Sequence, residues 1–217
     1  MIRLAVMASG RGSNLAAILQ AAAAGRLAAR PVLVLSDNPQ APALEVARAY
    51  GVPAVGVALR DAGGREAFFR LVEAKLLEAR VDVIALAGFM RVLPPWLVQR
   101  FRWRILNVHP SLLPAFPGLD AVGQALAYGV RITGCTVHLV DEGVDTGPIV
   151  LQAAVPVLPG DTVETLSARI QREEHRLYPE AIQLLAEGRL ELDGRRVRIR
   201  PNPENGGGDN SFRREDG

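Results

Sequence analysis

"VDVIALAG", residues 81–88, decides how the rest of the chain is read. From Val83 to Ala87 it is apolar without interruption, whereas a strand with one wet face would alternate. A strand buried on both faces belongs in the middle of a parallel sheet with helices above and below it. "IRLAVMA" (2–8) and "PVLVLS" (31–36) have the same texture, and "VPAVGV" (52–57) and "RILNVH" (104–109) complete the set. Helical stretches separate them. "LAAILQAAAA" (15–24) stops at Gly25, and "APALEVARAY" (41–50) ends at Gly51. In "GREAFFRLVEAKLLEAR" (64–80), Phe68, Leu71, Val72 and Leu76 form an apolar stripe at helical spacing. "PPWLVQRF" (94–101) is a short helix with prolines in its first turn. This alternation predicts an α/β fold: a single-domain, doubly wound, mostly parallel sheet of Rossmann-like type with helices on both faces.

After residue 118 the texture changes. "GCTVHLV" (134–140) and "PIVLQAAVPV" (148–157) read as strands joined at hairpin-like spacing by "DEGVDTG" (141–147). "TVETLSARIQREEHRLYPEAIQLLAEG" (162–188) is a long amphipathic helix, with a bend expected near Pro179. "DGRRVRIR" (193–200) is read as a solvated edge strand. Residues 201–217 carry no apolar pattern, so residues 1–200 are expected to form the domain and the remainder a disordered tail.

The chain is 49% hydrophobic and 22% charged, an ordinary globular balance. Its apolar runs are far shorter than the ~20 residues that cross a bilayer. A strand pattern begins at Ile2, without a long apolar or basic leader. The expectation is a cytoplasmic protein with no membrane partner. A single cysteine, Cys135, excludes an intrachain disulfide and a multi-cysteine zinc site. The 25 basic and 23 acidic residues are interspersed, and all the basic ones except Lys75 are arginine. No long basic stripe marks a nucleic-acid face.

Open parallel sheets bind ligands at the carboxyl ends of their strands. That rule draws attention to residues 9–14, 88–93, 107–110 and 141–147. "SGRGSN" (9–14) joins a strand to a helix. It is either a cradle for a single phosphate at the helix N-terminus or a tight turn capped by Ser13. It lacks the third glycine of the dinucleotide fingerprint and the lysine of a P-loop. "LAGFMRVLP" (86–94) either walls a flat heterocycle, with backbone groups at its edge, or packs its own Phe89 and Met90. In "ILNVHPSLLPAFPG" (105–118), Asn107 and His109 lie two residues apart and leave one face of a strand. An imidazole acid beside a carboxamide donor suits a developing oxyanion, with Asp145 as a carboxylate that favours the charged ring. The alternative is an asparagine that caps a turn and a histidine that fills a gap. His138, within a strand, reads as structural or supporting, and His175 as solvent-side or at a pocket rim. No metal-ligand spacing occurs, and Cys135 has no adjacent base, so neither a metal site nor covalent catalysis is expected.

Taken together, "SGRGSNL", "LAGFMRVL", "LNVHPSLLPAFPG", "GCTVHLVDEGVDTGPIVLQ" and "REEHRLYP" resemble the folate-dependent formyltransferases, in the family's order and over most of the chain. The resemblance implies transfer of a formyl group from 10-formyltetrahydrofolate to the amine of glycinamide ribonucleotide in de novo purine synthesis. It implies a catalytic trio of Asn107, His109 and Asp145. It assigns the ribonucleotide phosphate to Gly12, Ser13 and Asn14, and the ribose or glycinamide end to Glu174. For the folate it assigns Arg65, Met90, Arg91, Val92, Leu93, Val140 and Asp141, together with Asn107 and Asp145. No metal is implied, and the partners are small molecules, with the chain a monomer or homodimer. Asp120 stands where the family more often has histidine or asparagine, so no contact is carried over to it. Family members acting on methionyl-tRNA resemble the chain with a further C-terminal domain, and those hydrolysing the donor with a further N-terminal one. The expectation here is neither.

Overall fold

Leu4, Val6 and Ala8 join one buried apolar cluster while Ala5 and Met7 join another, so strand β1 (Ile2–Met7) is covered on both faces. The computed structural model describes residues 1–201. The expected tail at 201–217 falls, beyond its first residue, outside the described part.

The remaining elements are α1 (Ser13–Ala23), β2 (Ala29–Ser36), α2 (Pro42–Ala49), β3 (Ala54–Gly56), α3 (Arg65–Glu78), β4 (Val83–Leu86) and α4 (Pro95–Arg100). They continue with β5 (Ile105–His109), α5 (Ala121–Tyr128), β6 (Ile132–Leu139), β7 (Ile149–Pro156), α6 (Val163–Ala186), β8 (Leu190–Asp193) and β9 (Arg196–Ile199). They build one sheet in the order β3-β2-β1-β4-β5-β6-β7-β9-β8. The first five positions are parallel, and the direction reverses at β5–β6. The chain starts in the middle, winds out to β3 and returns to β4, so the switch point lies between β1 and β4. There the β1–α1 and β4–α4 loops diverge and leave a crevice.

β4 alternates as the reading of 81–88 requires: Val83, Ala85 and Ala87 face the cluster under α1, α2 and α6, and Ile84 and Leu86 the cluster under α3 and α4. Two local expectations shift. Phe69 rather than Leu71 completes the buried stripe of α3, and Leu71 is exposed. Ser13 does not cap α1; Gly12 occupies the cap in the left-handed region (φ 81), and no side chain accepts there. Side chains are poor fits at Gly12, since a Cβ would lie 2.9 Å from Ala43. α6 runs through Pro179 as one element, and the edge strand at 193–200 is half of a hairpin, β8–β9, turning at Gly194. α5 was not anticipated; Asp120 accepts from the Gly123 N–H at its start, and Gly129 in the left-handed region ends it.

Candidate active site

Register sets the site. In the antiparallel β5–β6 pair Asn107 stands opposite His138 and His109 opposite Thr136. Cross-strand neighbours share a face, so these four side chains project together. Leu106 and Val108 on the other side enter the core against α6. Tyr178 of α6, fully buried, reaches the carbonyls of both Leu86 (3.0 Å) and Leu106 (2.9 Å), and so ties the helix to the ends of β4 and β5.

His109 is 5% exposed. Its Nε2 donates to the Phe116 carbonyl at 2.7 Å, and its Nδ1 lies 3.3 Å from Asp145 Oδ2. Both neighbours accept only, so the doubly protonated ring satisfies both; a neutral ring with Nε2–H would turn a lone pair on the carboxylate. The other oxygen of Asp145 lies 3.3 Å from Asn107 Nδ2 and 3.5 Å from His138 Nε2. His138 donates from Nδ1 to the Leu139 carbonyl (2.9 Å), leaving Nε2 to accept from Asn107 Nδ2 at 3.1 Å. Asn107 is thereby oriented with its amide nitrogen toward Asp145.

Burial pushes the Asp145 carboxyl up, but the Gly118 N–H at 2.8 Å and the charge on His109 hold it below the usual aspartate value. Asp145 and Phe116 both sit at positive φ (55 and 51), a conformation that non-glycine residues adopt at a cost and that clusters at functional sites. The loop from Pro110 to Gly118 is gripped from β6. Thr136 donates to the Ser111 carbonyl (2.7 Å) and accepts from the Leu113 N–H (3.0 Å) and Gln152 (2.9 Å). This grip presents the Phe116 carbonyl and the Gly118 N–H to His109 and Asp145.

A cavity of about 530 Å³ opens on this face, in the range of small-molecule sites. Its lining includes Gly12, Ser13 and Asn14, Met90 to Leu93, Asn107, His109, Val140, Asp141, Asp145 and Glu174. The structure therefore brings together every sequence-derived site residue except Arg65. Arg65 stands outside and donates to the Val92 carbonyl at 2.8 Å. Ser9 Oγ accepts from the Met90 N–H at 2.9 Å, and Arg91 pairs with buried Asp37 at 2.6 Å. These three contacts hold the 88–93 loop. The N–H groups of Arg91, Val92 and Leu93 make no hydrogen bond among the described residues, which leaves them open to a ligand edge.

At the other end, Asn14 Nδ2 donates to Glu174 Oε2 at 2.8 Å. Burial raises the Glu174 carboxyl above the usual range, with the Asn14 contact opposing it. Asp141 is engaged within its own loop, accepting from the Thr146 hydroxyl and the Gly143 N–H. Burial first, then the charges of Glu174 and Glu173, push the Cys135 thiol up to about 12, so it stays a thiol. Among the described residues no group of three or more His, Cys, Asp or Glu side chains is arranged to hold a metal ion.

The sequence profile of the formyl transferase family matches residues 2–182. The chain belongs to the formyl transferase family. A phosphoribosylglycinamide formyltransferase of Bacillus subtilis is 44% identical over 185 residues, covering 85% of this chain and 95% of that protein. A crystal structure of glycinamide ribonucleotide transformylase 1 from Symbiobacterium toebii superposes with a TM-score of 0.91 at 54% identity, covering 93% and 95% of the two chains. The trifunctional purine biosynthetic protein adenosine-3 of Drosophila pseudoobscura pseudoobscura is 48% identical over 190 residues. The chain spans only 14% of the length of that relative. Within the family match, His138 stands as the supporting residue its strand context suggested, with Asn107 as the side chain it supports. Its signal, a histidine directly across from Asn107, appears only once the antiparallel register is known.

Proposed function

We propose that this chain transfers the formyl group from N10 of 10-formyltetrahydrofolate to the amine of glycinamide ribonucleotide, giving the formylated ribonucleotide and tetrahydrofolate. The observation that carries this reading is the setting of His109. Nε2 is anchored on the Phe116 carbonyl, so Nδ1 is the working nitrogen, facing the same space as Asn107 and Asp145.

The chemistry is an acyl-type transfer. The amine lone pair forms a bond to the formyl carbon, the carbonyl electrons move onto oxygen, and collapse then breaks the bond from carbon to N10. His109 Nδ1–H and the Asn107 amide donate to the developing oxyanion. Their contacts to Asp145, both 3.3 Å, are long enough to yield to a substrate oxygen. Asp145, ionised and adjacent, holds the water that relays the proton lost by the amine to N10. Nothing is oxidised or reduced, and no metal enters the scheme.

The two substrates enter from opposite ends of the cavity. The α1 N-terminus with Gly12, Ser13 and Asn14 takes the ribonucleotide phosphate, where backbone N–H groups and the helix dipole favour an anion. Glu174 receives the ribose or glycinamide end. The free N–H groups of the 91–93 segment, with Val140 and Asp141 opposite, read the edge of the pterin. The side chains of Arg65 and Arg91 and the Met90 N–H shape that segment through protein contacts. In this reading the protein is cytoplasmic, works on small molecules without nucleic acid or membrane partners, and is a monomer or homodimer.

The test is a continuous absorbance assay with 10-formyltetrahydrofolate or its dideaza analogue, with and without glycinamide ribonucleotide. Deformylated folate appearing only with the ribonucleotide is expected. Equal release without it makes the protein a hydrolase of the same donor, and no release in either case refutes an enzymatic role.

A further inference from the structure

The proposed reaction leaves the C-terminal hairpin without a role, although the hairpin touches the loop that carries Asp145. β9 joins the sheet through a parallel contact with β7 in which Ile149 pairs with Arg196, and the family match ends before it, at residue 182. Two of its arginines pair within the hairpin, Arg198 with Asp193 (2.7 Å) and Arg200 with Glu191 (2.6 Å). Arg195, at the turn, reaches out instead: its Nη2 donates to the Thr146 carbonyl at 2.7 Å.

Thr146 directly follows Asp145, whose own φ of 55 makes its carboxylate direction depend on how the surrounding chain is held. Inside the loop the Thr146 hydroxyl and the Gly143 N–H both donate to Asp141 Oδ1, at 2.6 and 3.2 Å. At Gly147 the loop returns so close to β6 that a Cβ would lie 1.7 Å from the Leu139 carbonyl. The segment is thus compact in itself, and besides the contacts of the Asp145 carboxylate, the Gly118 N–H at 2.8 Å among them, two ties made by its other residues decide where it sits. One is the ion pair of Arg102 with Glu142, a long 3.7 Å contact between exposed side chains. The other is Arg195, which grips main chain one residue from the carboxylate.

We propose that the hairpin is a brace for the Asp145 loop and that Arg195 is a positioning residue for formyl transfer, acting through the Thr146 carbonyl. The proposal rests on the reading of Asp145 given above. Because Arg195 holds the loop beside the reacting carboxylate rather than at its Asp141 end, loosening that tie lowers kcat more than it raises KM.

The test uses the full chain with Arg195→Ala and Arg195→Lys, measuring kcat, KM for each substrate, Tm and hydrogen exchange of the 141–147 peptide. For Arg195→Ala the expected result is a fall in kcat of about 3- to 10-fold, since small misplacements of a reacting group are felt steeply. Both KM values stay within about twofold, and exchange quickens in the 141–147 peptide alone; these bounds reflect a positional rather than a binding loss. Arg195→Lys, able to donate to the same carbonyl, recovers part of the rate. An unchanged kcat overturns the proposal, and so does exchange that quickens across the whole sheet, which marks a merely structural role. Exchange is read without substrate, so a failure of the formyl-transfer reading itself shows separately, as absent turnover in the unsubstituted protein.

Discussion

Replacing Asp145 with asparagine keeps the shape of the side chain and removes its charge, which isolates what the carboxylate does. In the native site Oδ2 faces His109 Nδ1 at 3.3 Å and the Gly118 N–H at 2.8 Å, while Oδ1 faces Asn107 and His138. His109, the Gly118 N–H and Asn107 each present a donor to it. An asparagine must set its NH₂ against one pair or the other, so at least one contact turns from attraction to repulsion. The charge itself matters more. Two unit charges at that His109 separation interact by about 5 kcal/mol at an effective dielectric near 20. At about 1.36 kcal/mol per decade this bounds the kinetic effect at somewhat under four decades. Loss of proton-transfer assistance alone accounts for about 10²–10⁴. A fall in kcat of about 10³ is therefore expected, with KM for the folate changed only a few fold because most of the cavity wall is untouched.

The assay is the absorbance change on loss of the formyl group at saturating ribonucleotide, paired with urea unfolding to show that the variant is folded. The stability arm has a definite sign. The folded-state carboxyl is depressed below its usual value, so Asp145 stabilises the fold at neutral pH and that contribution is lost as pH falls through the depressed value. The advantage of the native protein over the variant should thus shrink on acidification below about pH 4, near the unfolded aspartate value. A variant keeping kcat within about tenfold of native would refute the role given to this carboxylate, since neither the charge pair nor the relay could then matter at the magnitudes worked above.

Two other perturbations probe the support of the site. Glu174 is raised by burial, so its contribution to stability is full below the ordinary glutamate range and is lost as pH rises through the elevated value. Glu174→Gln should gain in Tm relative to native as pH goes from 5 to 8, while KM for the ribonucleotide rises; a Tm difference that is flat with pH contradicts the buried-carboxyl account. Tyr178→Phe removes a fully buried hydroxyl that links α6 to the Leu86 and Leu106 carbonyls and leaves both without it. It should lower unfolding free energy by about 1–3 kcal/mol in urea titrations, and a neutral result would mean that water or a backbone shift replaces the hydroxyl.

How much of this was legible in the sequence depended on whether the information sits in side chains or in pairing. The unbroken apolarity of 83–87 identified a central strand because both faces of β4 meet helices. Asn107 and His109 declared themselves by spacing, since period-two geometry is local. Asp145 was another matter. It lies 36 residues beyond His109 in sequence, so its type could suggest a partner and the family pattern could support it, but only the fold brought the two to 3.3 Å. The partners of His109 and Asp145 in the exit loop, the Phe116 carbonyl and the Gly118 N–H, are backbone groups, which leave no mark in residue type. The Arg91 side chain has its charge taken by Asp37 at the end of a strand two positions away in the sheet, a pairing that sequence spacing does not show. α5 escaped notice although Asp120 and Gly129 bracket it with ordinary capping chemistry.

The reversal of direction at β5–β6 explains why this sheet can hold a reacting group more rigidly than its loops alone would. In a wholly parallel sheet, the carboxyl ends supply the site, and those ends are loops. Here β6 runs the other way, so Thr136 and His138 come from the body of a strand and stand beside Asn107 and His109 on one face. Thr136 fixes the loop that anchors His109 Nε2, and His138 fixes the amide of Asn107. Val140 then pairs with the Ile105 carbonyl, so the chain leaving β6 starts out beside β5 and brings Asp145 back over that face. The two donors to the oxyanion in the proposed reaction are thus set by strand pairing, and the carboxylate by a loop with external ties. That division is the physical reason to expect catalysis to tolerate motion in the binding loops better than motion between residues 141 and 147.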